Sequence, residues 1–138
     1  MISNRSCPAS TVIPVLGYGD VPKAVAWLRD AFGFTERLRI GDHRVQMRAG
    51  GGDIVVTDSP PPADPAQTSY SIMLRVEDAD ASYERALAAG AAALRQPATF
   101  PYGERQCAVR DFAGYLWTFT QSVADVAPTE WGGELIAP

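Results

Sequence analysis

Apolar and polar positions alternate in the same order twice along this chain of 138 residues. In each copy a short apolar run comes first and is followed by a stretch with apolar residues at helical spacing. Three runs of alternating apolar and polar residues then follow, separated by turn residues. The pattern predicts a βαβββ module that occurs twice. The predicted bounds are about 11–58 for the first module, 59–69 for a proline-rich hinge, about 70–121 for the second module and 122–138 for a C-terminal arm.

The two predicted helices begin and end with matching residues. Asp20 and Asp78 have side chains that cap the free amide groups of a helix start, while Gly33 and Gly90 suit a helix end. Side chains suited to the core recur one, five and eight residues after each aspartate. This agreement favours a duplication. Because neither half can bury its sheet face alone, we expect the halves to pack together and to leave a concave surface.

The strands are predicted from period-two runs that turn residues interrupt. Residues 1–138 are predicted to form one α+β domain, in which the two modules build a curved mixed sheet with a concave cleft. The predicted strands are 12–16, 36–40, 44–48 and 54–57 in the first module and 71–76, 92–100, 105–110 and 116–120 in the second.

Charge and hydropathy exclude several classes of partner. The formal net charge of -4 argues against nucleic-acid binding, since binding of the phosphate backbone requires a surplus of Lys and Arg. No apolar stretch approaches the roughly 20 residues that span a bilayer, so we expect no membrane partner. Residues 1–10 lack the apolar centre of a secretory signal, which favours a cytoplasmic location.

One segment is specific enough to suggest a family. Residues 102–117 read YGERQCAVRDFAGYLW, which resembles the Gly-Asp-Arg…Asp-Pro-Phe-Gly…Trp pattern of one subgroup of the vicinal oxygen chelate superfamily, the PhnB-like glyoxalase-fold proteins. Phe112 stands where that pattern has proline. The superfamily includes glyoxalase I, extradiol dioxygenases and bleomycin resistance proteins, and the resemblance covers residues 11–121. It implies the same fold of two βαβββ modules around a cleft.

The resemblance also shows where a metal would be held. Metal-dependent members take one ligand from each quarter of the double module, typically His or Gln, Glu, His and Glu. The matching positions here are Ile13, Val56, Ser71 and Thr118. Two of them lack a donor atom and the other two are neutral hydroxyls, which are poor ligands for a divalent transition metal. We therefore expect no metal and no other cofactor.

The concave surface is then predicted from side-chain alternation along the strands. A trough of apolar walls with a few polar groups is typical of a small-molecule pocket, and a guanidinium there would suit an anionic or planar group. The predicted ligand-binding residues are Ile13, Val15, Val56, Ser71, Met73, Arg75, Arg105 and Thr118, with Ile54, Leu116 and Thr120 in the same lining.

Three single residues have open interpretations. His43, the only histidine, is interpreted as an exposed turn residue or as part of the pocket rim. Arg105 is interpreted as a surface charge or as a guanidinium directed at the ligand. Cys107 is expected to be a buried, inert thiol, and it and Cys7 are expected to stay unpaired.

Three functions are consistent with the sequence. The leading hypothesis is a metal-independent homodimer that binds a hydrophobic or aromatic small molecule, and that sequesters an antibiotic as bleomycin resistance proteins do. The alternative is an enzyme: a lyase, isomerase or dioxygenase with unusual metal ligands, or a metal-free catalyst that uses Arg75, Arg105 or Glu104. The third is a protein-interaction module whose trough is filled by the partner subunit.

Overall fold

The computed structural model of the chain describes residues 1–137, so that Pro138 at the end of the predicted arm lies outside the described residues. The chain divides between Gln67 and Thr68 into two compact units. Each unit contains one βαβββ module with its own four-stranded mixed sheet. The predicted α+β class and the duplicated module are therefore confirmed. No helix in residues 1–137 is both long and apolar enough to cross a membrane.

The first unit is a sheet with one helix. Its elements are β1 (Val15–Tyr18), α1 (Val21–Phe32), β2 (Thr35–Ile40), β3 (Arg44–Ala49) and β4 (Gly52–Asp58). The strands lie in the order β1-β4-β3-β2, in which β1 is parallel to β4 and the other neighbours are antiparallel.

The second unit repeats this topology. Its elements are β5 (Ile72–Arg75), α2 (Ala79–Ala88), β6 (Ala92–Thr99), β7 (Glu104–Arg110) and β8 (Leu116–Ser122). The strands lie in the order β5-β8-β7-β6, again with one parallel pair, β5 and β8. Each unit also has a single 3-10 turn, at Pro65–Gln67 in the first and Pro128–Glu130 in the second.

Both helices begin where the sequence predicts. The carboxylate of Asp20 accepts a hydrogen bond from the backbone N–H of Lys23 at 3.0 Å, and Asp78 accepts one from Ala81 at 3.0 Å. Helix α1 ends at Gly33 with a left-handed φ of 76°. Helix α2 ends slightly earlier than predicted, at Ala88.

The helix faces predicted to be buried are buried. In both helices the residues one, five and eight positions after the capping aspartate are buried. In α1, Ala24 and Ala31 are buried as well. Phe32, at the C-terminal end of α1, is half-buried. The buried helix residues are Val21, Ala24, Val25, Leu28 and Ala31 in α1 and Ala79, Tyr83 and Ala86 in α2.

Strand β1 starts three residues later than predicted. Val12, the first residue of the predicted strand, is 79% exposed, and Ile13 is half-buried in the segment before the strand. The strand continues past residue 16 through Gly17 to Tyr18. The backbone of Gly17 lies directly against the loop that follows β4, where a Cβ would meet the carbonyl oxygen of Pro60 at 2.8 Å. Only glycine allows this approach.

A buried carboxylate fixes the turn between β7 and β8. Asp111 is 5% exposed, and its Oδ1 accepts hydrogen bonds from the backbone N–H groups of Ala113 at 2.9 Å and Tyr115 at 3.0 Å. Its Oδ2 accepts one from the indole Nε1 of Trp117 at 3.0 Å. Since Trp117 is fully buried, one side chain joins the turn to the core. The motif that suggested the family is thus a structural anchor.

Asp111→Asn should destabilise the second unit. The amide has one acceptor instead of two and places an NH₂ group against an N–H donor of the turn or of Trp117. We expect a loss of about 1.5–3 kcal/mol in the free energy of unfolding, the usual range for hydrogen bonds to a charged group. Urea unfolding followed by tryptophan fluorescence measures it.

Asp125→Asn is the matched control, because it removes an exposed carboxylate from the same unit. Equal unfolding free energies for the two variants would contradict the anchoring role of Asp111.

Candidate functional site

Helix α2 covers one face of the second sheet. Cys107 in β7 donates a weak hydrogen bond to the carbonyl of Ala79 at 3.6 Å, and Gln121 in β8 accepts one from the N–H of the same residue at 2.9 Å. Because strand side chains alternate, the intervening residues point the other way. We call this other side the helix-distal face of the second sheet. It comprises Met73 and Arg75 in β5, Glu104, Gln106 and Ala108 in β7, and Thr118, Thr120 and Ser122 in β8.

Three predicted ligand-binding residues lie together on this face. Met73 is paired with Thr118 across the parallel strands, and Arg75 is paired with Thr120. Met73 is 60% exposed, whereas the two threonines are buried. Ser71 precedes β5 and is exposed. The face therefore has an accessible edge strand next to a row of buried hydroxyls.

A chain of hydrogen bonds connects the polar residues of this face. The hydroxyl of Tyr102 donates to Gln106 Oε1 at 2.7 Å, and Gln106 Nε2 donates to Thr120 Oγ1 at 3.0 Å. Thr120 in turn donates to Glu104 Oε1 at 2.7 Å. These bonds give each of the inner side chains a defined orientation without any ligand.

Glu104 is the charged end of this chain. The pKa of its carboxyl lies below the usual value, mainly because Ser122 donates a hydrogen bond to it. The hydrogen bond from Thr120 and the positive charge of Arg75 lower the pKa further. The carboxylate lines a cavity of about 520 Å³ at the start of the C-terminal arm. The cavity is bordered by Tyr102, Glu104, Ser122, Ala124, Asp125 and Val126.

Arg105 lies on the other face. It is paired with Gln121 in β8, and its guanidinium binds the carboxylate of Asp80 in α2 with N–O distances of 2.6 and 2.9 Å. This contact lowers the pKa of Asp80. The structure therefore does not bring Arg105 together with Met73, Arg75 and Thr118, and its contacts are those of a tie between sheet and helix. A ligand role for Arg105 stays a prediction.

On the corresponding face of the first sheet, the residues of β4 are shifted by one position from the predicted ones. Val45 lines a cavity of about 260 Å³ with Val21 and Val25 of α1, so it faces the helix. Its partner Val56 therefore also faces the helix, as does Ile54, which lies two residues earlier in β4. Both were predicted to lie with Val15 on the concave surface, and that placement is wrong.

The two modules differ by one residue in where the glycine before the last strand lies. Val15 and Met73 each lie five residues before a capping aspartate, and their partners in the neighbouring strand are Val55 and Thr118. Gly52 is already part of β4, whereas Gly114 precedes β8, so equal counts from the two glycines are one residue out of step. A shift of one residue moves a side chain to the opposite face.

We call the side of the first sheet that points away from α1 the helix-distal face of the first sheet. Gln46 and Val55, paired across β3 and β4, are almost fully buried there. Val15, in contrast, is 54% exposed at the edge. The face comprises Val15 and Gly17 in β1, Arg44, Gln46 and Arg48 in β3, and Asp53, Val55 and Thr57 in β4.

The residues at these positions do not fit a metal ion. Thr118 offers only a hydroxyl, Val55 has no donor atom, and Ser71 is an exposed hydroxyl. Among residues 1–137 no cluster of three His, Cys, Asp or Glu side chains could hold a metal. His43 is exposed in the turn between β2 and β3.

The two cysteines of the described chain are free, as predicted: Cys7 is exposed and Cys107 is buried. Burial is the main cause that raises the pKa of the Cys107 thiol to about 11, so it is neutral at physiological pH. A neutral, buried thiol is a poor nucleophile.

Iodoacetamide at pH 8 should therefore modify Cys7 and leave Cys107 unmodified in the folded protein. Mass spectrometry should show one added group in native protein and two in urea, and none in native Cys7→Ala. Modification of native Cys7→Ala within the time that labels Cys7 would contradict the buried, protonated state.

Thr120→Val should raise the pKa of Glu104 towards its usual value, although the Ser122 hydrogen bond keeps part of the shift. Because the native pKa is lowered, the ionised carboxylate stabilises the fold above the pKa of the unfolded chain. This contribution is lost as the pH falls through the native pKa. The variant should lose less of its stability on acidification than the wild type does.

Carbon NMR titration of the glutamate carboxyls measures this pKa, with Thr118→Val as the control on the same face. An identical Glu104 pKa in the wild type and Thr120→Val would refute the contribution of the Thr120 hydrogen bond to the shift.

The chain is similar to proteins of known structure along most of its length. One is TioX from Micromonospora sp. ML1, with 33% sequence identity, a TM-score of 0.68 and coverage of 83% of this chain and 99% of that one. A glyoxalase-related enzyme from Fulvimarina pelagi has 17% identity, a TM-score of 0.69, and coverage of 94% and 100%. A bleomycin resistance determinant encoded on the transposon Tn5 has 20% identity, a TM-score of 0.65, and coverage of 84% and 100%.

A search of curated protein sequences found no match. Comparison with protein families agrees with the structural similarities. A family model described as glyoxalase/bleomycin resistance protein/dioxygenase superfamily matches residues 12–119. The PhnB-like subgroup stays a prediction. The chain belongs to the glyoxalase/bleomycin resistance protein/dioxygenase superfamily.

Proposed function

We propose that this protein binds a hydrophobic or aromatic small molecule on the helix-distal face of the second sheet, without a metal ion. The observation that carries the proposal is the pair Met73 and Arg75. They are exposed at alternate positions of an edge strand, directly beside the buried hydroxyls of Thr118 and Thr120. An apolar, adaptable side chain, a planar cation and oriented hydroxyls are the components of a small-molecule site.

The chemistry of these side chains favours a flat ligand with a polar substituent. The thioether of Met73 adapts to the shape of an apolar surface, and burying it against a ligand contributes affinity. The guanidinium of Arg75 stacks on planar groups and pairs with anions. Its positive charge contributes to the lowered pKa of Glu104 on the same face.

The relatives support the class of function. The Tn5 determinant is named for bleomycin resistance, and its 20% identity with this chain is a likeness of fold. Sequestration of an antibiotic is the specific form of binding that we propose. We also propose a homodimer, since dimers are common in the superfamily.

Binding of 1-anilinonaphthalene-8-sulfonate, an aromatic anion, tests the site. Met73→Ser should raise the Kd of the probe roughly tenfold, because the probe buries the methionine side chain on binding and the variant loses most of this apolar contact. Arg75→Gln should raise it by about threefold to tenfold through loss of a charge-assisted contact. Fluorescence titration measures both values.

The controls are matched in type. Leu94→Ser removes an exposed apolar residue from the edge strand β6, and Arg85→Gln removes a positive charge from the exposed side of α2. Both should bind the probe as the wild type does. Equal Kd values for all four variants would rule out the proposed face.

Native mass spectrometry of gently purified protein tests the remaining parts. We expect a dimer that retains a small organic molecule and carries no stoichiometric metal. A divalent metal whose removal abolishes turnover of glyoxalase or catechol substrates would instead establish the enzyme alternative. A monomer would disprove the proposed assembly.

A further inference from the structure

The N-terminal segment, residues 1–11, is hydrogen-bonded to the first sheet by its backbone. The carbonyl of Arg5 accepts a hydrogen bond from Nη2 of Arg37 in β2 at 3.0 Å. The carbonyl of the next residue, Ser6, accepts one from Nε2 of Gln46 in β3 at 2.8 Å. Two adjacent strands thus hold two adjacent residues of the segment.

A third contact continues the path to the next strand. The hydroxyl of Ser10 donates to Oδ2 of Asp53 in β4 at 2.6 Å. The chain then enters β1, the neighbour of β4. Residues 5, 6 and 10 therefore meet β2, β3 and β4 in the order in which these strands lie in the sheet. The segment crosses the sheet transversely.

This crossing lies on the helix-distal face. Asp53 is paired with Arg48, and Gln46 is paired with Val55, so two of the three side chains that bind the segment, Gln46 and Asp53, point away from α1. Gln46 is only 6% exposed and Val55 only 4%. In the second unit, the corresponding face is the one that presents Met73 and Arg75.

Polar contacts hold the segment, while apolar burial contributes little. Met1 and Ile2 are fully exposed, Cys7 is exposed, and Pro8 is the one buried residue between positions 1 and 11. Segments with few buried apolar contacts open at a small fraction of the cost of global unfolding. The segment also lies outside the residues that match the superfamily, 12–119.

We propose that residues 1–11 form a strap that closes the helix-distal face of the first sheet and that its release admits a hydrophobic small molecule to Val55 and Gln46. The class of ligand rests on the proposed function of the second sheet. The strap itself rests on the three contacts above. Opening breaks these contacts while β1 to β4 remain paired.

Trypsin cleavage between Arg5 and Ser6 reports the opening, because a protease needs the segment free of the sheet. Ser10→Ala removes one contact and should speed cleavage roughly two- to tenfold, the effect of one hydrogen bond on the open population. Thr11→Ala, which removes the adjacent exposed hydroxyl, is the matched control and should cleave at the wild-type rate. Mass spectrometry detects the loss of residues 1–5.

Equal cleavage rates for the wild type and Ser10→Ala would overturn the strap. This measurement uses no ligand, so its outcome does not depend on the proposed function of the second sheet.

Ligand access is measured in a Met73→Ser background, in which the second-sheet site is impaired. Adding Ser10→Ala should increase binding of 1-anilinonaphthalene-8-sulfonate at least twofold, and adding Thr11→Ala should not. Faster cleavage without increased binding would overturn the gating role. If Met73→Ser alone fails to weaken binding, only the proposed function of the second sheet is refuted.

Discussion

The hydrogen bonds of Asp111 fix the turn on which the second sheet depends. One buried carboxylate accepts from two backbone N–H groups of the turn and from the indole of Trp117. It therefore sets where β8 begins relative to β7. Because strand side chains alternate, this register also decides that Trp117 and Phe119 enter the core while Thr118 and Thr120 face away from α2. A slip of one residue would exchange the two sets.

The same constraint separates residues that are adjacent in sequence. Glu104 joins the hydrogen-bonded row of the helix-distal face, whereas Arg105 is paired with Asp80 of α2. The sequence suggests both as possible catalytic residues of the enzyme alternative, and Arg105 also as a ligand-binding residue. The structure assigns one to the frame of the candidate site and the other to the contact between sheet and helix.

The two modules share a topology but present different surfaces. In the second, Met73 and Arg75 lie exposed beside oriented hydroxyls, with an ionised Glu104 at the end of the row. In the first, the equivalent strands carry Val15 and Val55, and the N-terminal segment is hydrogen-bonded to β3 and β4. Duplication supplies two similar faces, and different side chains at equivalent positions, together with the N-terminal segment, make them unequal.

The sequence by itself determined the repeated βαβββ order, the helix starts at Asp20 and Asp78 and the buried face of each helix. These features depend on local rules: a carboxylate caps free N–H groups, and apolar residues recur at helical spacing. Tertiary structure decided that Val56 faces α1. It also decided that Gly17 lies inside a strand and that Arg105 pairs with α2. Each of these depends on strand register or on a contact between distant residues, and neither leaves a periodic signal along the chain.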